Sequence, residues 1–516
     1  MKMTVRRDTF SRHRRRSLAL LAVILTSGIT FACHAGEGMH WVGTWYTAPQ
    51  LVEPGNNPPA PGLAGNTLRQ IVRVSLGGDS LRFRFSNEFS TTAVVFQSVH
   101  IALSEGAGRV DTTSDRILMF AGKPGTSIAA GGAMTSDPVW FPVQPRTDIA
   151  ITIVYGTSPV GITGHPGSRT TSYLFTGDAV SRGDAAGAVT TDHWYNIQGI
   201  DVLAPESAAC VAILGNSITD GRGSTTNGQN RWPDVMSVAL LQDSATQHVG
   251  VLNAGIGGNC VLSGGLGPTG VNRYDRDILG QQGVRWAIVF EGVNDIGAVN
   301  SSRAATATAT NLIAAYQQFI TRAHAAGLKI YGATIMPFKG NGYYNQYSEQ
   351  CRTAVNQWIR TAGNFDACID FDMVMRDPSD TTRMLLPAYQ NDGLHPDTVG
   401  YKLMGGSVDH TLFTDASPTG MRGSGERAPG SFLLGQNYPN PFNPTTTISY
   451  GIGERSAVSL MVFDSLGRRI AELDHGMKEP GRYTVRFDAA GQPTGCYIYR
   501  LTAGTSTAAR SMLLIR

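Results

Sequence analysis

The sequence predicts a multidomain protein in which an all-β region, an α/β region and a second, smaller all-β region follow one another. The 516 residues are too many for one ordinary core. Short strand patterns broken by Gly, Pro and Ser fill residues 40–205, whereas strand patterns alternate with helical ones after residue 210. A stretch rich in Gly, Ser and Pro, residues 415–431, has the composition of a linker and precedes a last strand-rich segment.

The N-terminus has the pattern of a secretory signal peptide, which we place at residues 1–35. Basic residues precede the apolar run at residues 18–25, and the segment ends in the small-residue sequence FACHA. That run is too short to span a bilayer comfortably, so we expect no transmembrane segment after cleavage. Cleavage removes 7 Lys/Arg and 1 Asp and changes the formal net charge from +3 to −3. The remaining chain lacks the basic balance that a nucleic-acid partner would require.

Residues 36–205 are predicted to form a β-sandwich. In LRFRF, residues 81–85, apolar and basic side chains alternate, and this period of two buries one face of a strand. The sequences IVRVSL at residues 71–76 and DIAITIVYG at residues 148–156 are further predicted strands. Many short strands separated by Gly and Pro are typical of sandwich folds.

Residues 206–414 are predicted to form a parallel sheet with helices on both faces. Core strands are predicted at residues 210–214, 285–292, 328–335 and 365–371. Apolar residues at helical spacing between residues 304 and 326 predict a helix between two of these strands. Strands and helices that alternate in this way form βαβ units.

Residues 432–516 are predicted to form a self-contained small β-sandwich after the linker. Strand patterns at residues 457–467, 481–489 and 495–504 are separated by turn signals.

Five cysteines follow residue 35, and their spacing matches no metal-binding motif. Two alternatives are open for Cys351 and Cys368: a disulfide in an oxidising compartment, or small buried apolar side chains. We expect neither a metal nor an organic cofactor.

Four short motifs occur in order within the α/β region. They are GNS ending at Ser217, NAGIGGN at residues 253–259, EGVNDIG at residues 291–297 and NDGLHP at residues 391–396. Each alone has an ordinary structural explanation: a helix cap, a glycine turn, an Asx-turn and a surface loop. Together they supply a hydroxyl, an imidazole, a carboxylate and amide donors, which is the set that acyl transfer needs.

A serine hydroxyl becomes a nucleophile when a base takes its proton. We predict Ser217 as the nucleophile and His395 as the base, because an imidazole titrates near neutral pH. Asp392 lies three residues before His395 and is predicted to orient the imidazole. The backbone N–H groups of Ser217 and Gly258 and the side-chain amide of Asn294 are the predicted oxyanion hole.

With these motifs the sequence resembles the SGNH (GDSL-type) serine hydrolases over about residues 206–414. The four residues of the family name match Ser217, Gly258, Asn294 and His395. The resemblance implies a three-layer α/β/α fold with a flavodoxin-like parallel sheet, and it implies the same catalytic and oxyanion residues, with Asp392 completing the triad.

Further segments are similar to the secreted bacterial esterase branch of this family. They are RYDRDIL at residues 273–279 and WVGTWYTAPQ at residues 41–50, the latter at the head of the β region. Two positions depart from the family pattern. Asn216 stands where the motif name has Asp, and Gly257 stands where many relatives have Ser.

The C-terminal segment also resembles a known domain type. NYPNPFNPTTTISY, residues 437–450, with its regularly placed prolines, is similar to the C-terminal sorting domain of type IX secretion. This implies the type IX secretion machinery as a partner and export across a Gram-negative outer membrane, to the medium or the cell surface. A structural or carbohydrate-binding sandwich is the alternative.

The sequence therefore predicts a secreted carboxylic-ester hydrolase of the serine carboxylesterase class, acting on short acyl esters such as acetyl or simple alkyl and aryl esters. The alternatives are a polysaccharide deacetylase with the same mechanism and a non-catalytic surface protein that binds glycans. The histidines of the β region, His100, His165 and His193, receive no functional role.

Overall fold

The computed structural model describes residues 38–385, 392–414, 432–435, 437, 442–464 and 467–514. The predicted signal peptide and linker lie outside these described residues. Among the described helices, none has the length and apolar character needed to cross a membrane.

The N-terminal region is rich in strands, as predicted. One antiparallel sheet has the strand order Met39–Tyr46, Ile197–Pro205, Gly78–Ser86 and Val139–Val143, with Ala133–Thr135 beside the third of these. A second has the order Val189–Thr191, Ser172–Phe175, Thr67–Arg73, Asp148–Tyr155 and Val94–Gly106, and the short strands Arg109–Val110, Arg116–Ile117 and Thr126–Ile128 pair with the last. Trp194–Tyr195, Thr163–His165 and Gln50–Leu51 form a small third sheet, and single 3₁₀ turns lie at Pro54–Asn56 and Thr112–Ser114.

The strand predicted at residues 71–76 lies earlier in the chain, at Thr67–Arg73. After it the chain crosses from the second sheet to the first. Gly77 permits this crossing, because a Cβ there would lie 2.5 Å from the carbonyl oxygen of Val143. The predicted strand ends three residues too late. Val74 and Leu76 are buried although they lie outside the strand, so the apolar pattern continues beyond the end of the strand.

The sheet of the α/β region is parallel, with its five described strands in the order second, first, third, fourth, fifth. These strands are Val249–Gly255, Ala209–Gly215, Val284–Phe290, Lys329–Ala333 and Ala367–Ile369. Gly215 is in register with Gly255 and with Phe290, so three strands end at the same level. Ligands of open α/β sheets bind beyond this carboxyl edge.

Helices connect the strands of this sheet. The described ones are Ser217–Asp220, Trp232–Gln242, Gly270–Tyr274, Val293–Ile296, Ser302–Ala325, Gln346–Arg360, Phe371–Met375 and Thr398–Ser407, with a π-turn at Asp275–Leu279, a 3₁₀ turn at His410–Phe413 and a hairpin of Arg376–Asp377 with Asp380–Met384. The helix predicted at residues 304–326 is Ser302–Ala325. Its first turn is capped by Ser301, whose hydroxyl accepts the N–H of Ala304.

One hydrophobic core extends through the N-terminal and α/β regions, from Val42 to Phe413. The two regions are in contact along this core. Tyr46 donates its hydroxyl hydrogen to Asp277 at 2.7 Å, and a Cβ at Gly43 would lie 2.7 Å from the side chain of Leu252.

The C-terminal region is strand-rich, as predicted, and has a hydrophobic core of its own. One sheet contains Leu433–Leu434, Thr445–Ile452 and Gly481–Asp488, and the other contains Arg469–Lys478, Ser456–Phe463, Gly495–Ala503 and Ser506–Leu514. All of these pairings are antiparallel.

The five described cysteines are unpaired. Cys351 is buried and Cys368 is half-buried, so the structure has the second of the two alternatives left open by the sequence, that of apolar side chains without a disulfide.

Candidate active site

Ser217 is the first residue of the short helix that follows the central strand Ala209–Gly215. Asn216 caps this helix, because its Oδ1 accepts the N–H of Ile218 at 3.0 Å. The helix ends at Gly221, whose φ of 103° is left-handed. Gly215 is required before it, because a Cβ there would collide with the side chain of Thr219. The turn thus delivers Ser217, only 6% exposed, to the carboxyl edge of the sheet.

The structure brings the three predicted catalytic side chains together in a row. The Ser217 Oγ lies 2.9 Å from the Nε2 of His395, and the Nδ1 of His395 lies 2.8 Å from the Oδ2 of Asp392. A carboxylate only accepts hydrogen bonds, so the shared proton is on Nδ1 of the imidazole. Nε2 is then free to accept the hydroxyl proton of Ser217.

The Asp392 carboxyl is held in place by its own loop. Its Oδ1 accepts the backbone N–H groups of His395 at 2.9 Å and Leu394 at 3.1 Å. The Asp392 carbonyl accepts the side-chain amide of Asn341 at 3.2 Å. Gly393 makes the approach of these two loops possible, since its φ is +77° and a Cβ there would lie 2.7 Å from the backbone of Gly340.

The pKa values of Asp392 and His395 are each set by opposing effects. Burial raises the pKa of Asp392, but the hydrogen bonds from the backbone and ring of His395 outweigh it and hold the pKa below its usual range. Burial lowers the pKa of His395, the Asp392 carboxylate raises it, and the positive charges of Arg222 and Arg169 lower it again. The net pKa of His395 is below its ordinary value, so the imidazole is neutral and able to accept a proton at neutral pH.

The predicted oxyanion donors lie at the ends of the neighbouring strands. Within the described residues the backbone N–H groups of Ser217 and Gly258 have no hydrogen-bond partner. The Asn294 amide donates one hydrogen to the carbonyl of Asn259 at 2.7 Å, and its Oδ1 accepts the hydroxyl of Tyr343 at 3.2 Å. These two bonds orient Asn294 and leave its second amide hydrogen available.

A buried arginine supports the strand ends behind this site. Arg273, 1% exposed, donates to the carbonyls of Ala254 and Gly215 at 2.5 and 2.8 Å and to the side chain of Asn259 at 3.0 Å. Its charge is balanced by Asp277 at 2.9 Å. The motif RYDRDIL therefore fixes the backbone before the candidate nucleophile Ser217 and on both sides of Gly258.

His165 contacts the helix of Ser217, and the sequence analysis did not predict this contact. It comes from the β region, is 3% exposed, and lies 2.8 Å from the Oδ1 of Asp220, at the end of the Ser217 helix. Its Nδ1 lies 2.9 Å from the carbonyl of Ala48, so both ring nitrogens of His165 have a polar partner. Gly167 permits this close approach, because a side chain there would collide with the Asp220 carboxylate.

Comparison with known proteins agrees with this architecture. Residues 213–403 match the GDSL-like lipase/acylhydrolase family, and residues 436–515 match the secretion system C-terminal sorting domain. No curated protein matches the chain.

Among similar solved structures is a GDSL-like lipase from Bacteroides thetaiotaomicron, 18% identical, which covers 38% of this chain and 84% of its own with a TM-score of 0.28. An acetyl xylan esterase from Geobacillus stearothermophilus is 19% identical, covers 39% and 92%, and has a TM-score of 0.29. A psychrotrophic esterase from Pseudoalteromonas sp. is 21% identical, covers 38% and 93%, and has a TM-score of 0.28. The chain therefore contains a GDSL-like lipase/acylhydrolase domain at residues 213–403, and its C-terminal sorting domain marks it for type IX secretion to the cell surface or the medium.

Proposed function

We propose that the chain is a secreted serine hydrolase of carboxylic esters. One observation carries the proposal: the unbroken row of contacts from the Ser217 Oγ through the His395 imidazole to the Asp392 carboxylate, at the edge of a parallel sheet. A serine hydroxyl, a neutral imidazole and a carboxylate in this order are the components of acyl transfer to serine.

In the proposed reaction the Ser217 Oγ attacks the ester carbonyl while its proton passes to Nε2 of His395. The imidazolium is stabilised by Asp392 and then gives the proton to the leaving alcohol, so that the C–O bond breaks and an acyl-serine remains. A water molecule loses a proton to the same Nε2 and attacks the acyl carbon. The acid leaves, and Ser217 regains its proton.

The oxyanion of each tetrahedral intermediate is proposed to accept hydrogen bonds from three donors. These are the free N–H groups of Ser217 and Gly258 and the second amide hydrogen of Asn294. Donors fixed before the reaction stabilise the developing charge without a reorganisation cost, and the bonds of Asn294 to Asn259 and Tyr343 support this assignment.

We propose short acyl groups as the preferred acids. A small cavity lies beside the site, and its wall includes Ile218, next to the nucleophile, and Leu394, next to the base. The apolar pair Ile335 and Met336 and the buried carboxyl of Glu291 also line it. The small size of this cavity supports acetyl or another short chain over a long lipid chain. An acyl-chain-length series of aryl esters measures this preference directly.

The decisive experiment is Ser217→Ala in the purified mature protein, assayed on a short acyl ester and with a fluorophosphonate probe, which reacts only with an activated serine. We expect hydrolysis and labelling to be lost together. Ser237→Ala is the matched control, because Ser237 is buried and its hydroxyl has no partner among the described residues. Unchanged turnover by Ser217→Ala, or labelling that survives it, would refute Ser217 as the nucleophile. A wild type that neither hydrolyses the ester nor reacts with the probe would leave the non-catalytic glycan-binding alternative.

We also propose the domain layout of a signal peptide at 1–35, a β-sandwich at 36–205, the hydrolase domain at 206–414, a linker at 415–431 and a sorting sandwich at 432–516. The separate cores of the last two folded regions support the position of the linker. Mass spectrometry of the secreted protein tests it, because cleavage after Ala35 fixes the first boundary and limited proteolysis within 415–431 fixes the last.

A further inference from the structure

Two arginines from different regions lie on segments that are held against the helix of Ser217. The segment of Arg169 is held there by the contacts of His165 with Asp220 and of Ser168 with Arg231. Arg222 follows the Ser217 helix, where its N–H donates to the Ser217 carbonyl at 2.9 Å and its own carbonyl accepts the hydroxyl of Tyr401. Arg169 comes from the turn after the strand Thr163–His165 of the β region. Both positive charges act on His395, whose pKa they lower, and Arg169 acts in the same way on Tyr401.

Neither guanidinium has a hydrogen bond or an ion pair within the part of the chain that the structure describes. The Nε of Arg169 is buried and has no hydrogen-bond partner among those described residues. Nearby arginines are paired: Arg146 and Arg231 both contact Asp234. The segment 386–391 that precedes Asp392 has the sequence LPAYQN and contains no acid. Two unpaired cations beside a reaction centre leave a place for an anion.

Arg169 is held in a conformation that ordinary residues avoid. Its φ of +51° lies in the left-handed region. The turn is fixed on both sides, because the Ser168 hydroxyl bridges the carbonyls of Thr170 and Asp192 at 3.0 and 2.8 Å, and the Arg169 carbonyl accepts the N–H of Asn227 at 2.9 Å. Backbone strain of this kind persists where the surroundings impose it, commonly at functional sites. The backbone from which the Arg169 side chain extends is therefore fixed.

We propose that Arg169 and Arg222 bind a carboxylate or other anionic group of the ester substrate, so that the enzyme prefers esters carrying a negative charge near the scissile bond. This inference rests on the proposed esterase function and narrows its substrate class. The planar guanidinium suits a carboxylate because it can donate two parallel hydrogen bonds. Arg169 lies outside the family-matched residues 213–403, so the β region contributes this specificity.

The test compares 4-acetoxybenzoate with its neutral analogue 4-acetoxybenzamide in the wild type, Arg169→Gln and Arg222→Gln. Comparing variants with the wild type cancels the intrinsic reactivity of each ester. We expect the ratio of the two kcat/KM values to fall about 10-fold in Arg169→Gln, mainly through KM, because a charge-assisted hydrogen bond is lost. Arg222 is exposed, so its loss should lower the ratio only about threefold. The wild-type preference should also shrink between about 0.05 M and about 0.5 M salt.

Arg303→Gln is the matched control, because Arg303 is exposed on the helix Ser302–Ala325 and is not among the charges that act on His395. Arg169→Lys keeps the charge but loses the planar donor pair, and should retain an intermediate ratio. Acetylated pectin and acetylated xylan identify the source of the charge. A preference for the former places the anion on a uronate polymer, and a preference seen only with the small ester places it on a free acid.

Three outcomes overturn the proposal in distinguishable ways. Equal losses on the charged and the neutral ester in Arg169→Gln would make the arginine a support of the fold. Ser217-dependent hydrolysis of both esters with no charge preference would refute the anion site alone and leave the esterase. No Ser217-dependent hydrolysis of either ester would refute both.

Discussion

Asp392→Asn keeps the shape of the side chain and removes its charge, yet we expect it to damage hydrolysis more than Asp392→Ala does. The reason lies in the two oxygens of the carboxyl. Oδ1 accepts the N–H groups of His395 and Leu394, while Oδ2 faces Nδ1 of the imidazole. An asparagine must keep its oxygen on the two backbone donors, so its NH₂ group faces the ring. Nδ1 then has to accept, the ring proton moves to Nε2, and Nε2 can no longer take the proton of Ser217.

The size of the loss follows from the exposure of the carboxyl. In buried triads the same change costs about 10⁴-fold in kcat. The Asp392 side chain is 40% exposed, so water screens part of its charge. We therefore expect a loss of about 10³-fold, or about 4 kcal/mol of transition-state stabilisation. Asp392→Ala loses one charge-assisted hydrogen bond and leaves the ring free to choose its tautomer, which predicts a loss of about 10²-fold.

Steady-state kinetics on a short aryl ester at about pH 7.5, with melting curves as the control for folding, measure both variants. Nitrogen NMR of the imidazole reports the tautomer independently. The reasoning is refuted if Asp392→Asn is as active as Asp392→Ala or more active, or if Nε2 of His395 carries no proton in Asp392→Asn.

Three further predictions concern the surroundings of the site. The lowered pKa of His395 predicts that kcat/KM is constant at neutral pH and falls only below about pH 6.5, as Nε2 becomes protonated. Arg169→Gln should move this acidic fall of the pH profile to higher pH, because a positive charge that lowers the pKa of His395 is removed. A fall of the wild-type profile that begins above the ordinary histidine pKa contradicts the prediction. Arg273→Met should lower the free energy of unfolding by about 3–5 kcal/mol, measured by urea denaturation, because it leaves a buried charge short of a partner; a change below about 1 kcal/mol contradicts it. Asn294→Ala should lower kcat about 10²–10³-fold with little change in melting temperature, and a loss below about threefold would make Asn294 structural.

The four motifs were predictable because their positions relative to the strands follow a general rule. Parallel strands end at one edge, so polar residues placed directly after the strands that end at Gly215, Gly255 and Phe290 must meet there. The hydrogen bond between Ser217 and His395 joins residues that are 178 positions apart. The order of the four motifs along the chain was the feature of the sequence that predicted this contact.

The contacts of the β region with the site were not predictable in this way. His165 and Asp220 are 55 residues apart, and nothing in the local pattern of either indicates the other. Arg169 is an ordinary polar residue in a loop, and its left-handed φ is imposed by partners that are distant in sequence. Such contacts depend on how two regions pack, and a single sequence carries no periodic signal for that.

The contact between His165 and Asp220 joins the strand-rich N-terminal region to the helix that begins with Ser217. This region is therefore part of the support of the candidate site and not a separate accessory domain. A fragment beginning at residue 206 would have the serine but lack the imidazole that steadies the far end of its helix. Replacing that N-terminal segment with one from another protein should therefore change turnover, because the contact with the Ser217 helix would change as well.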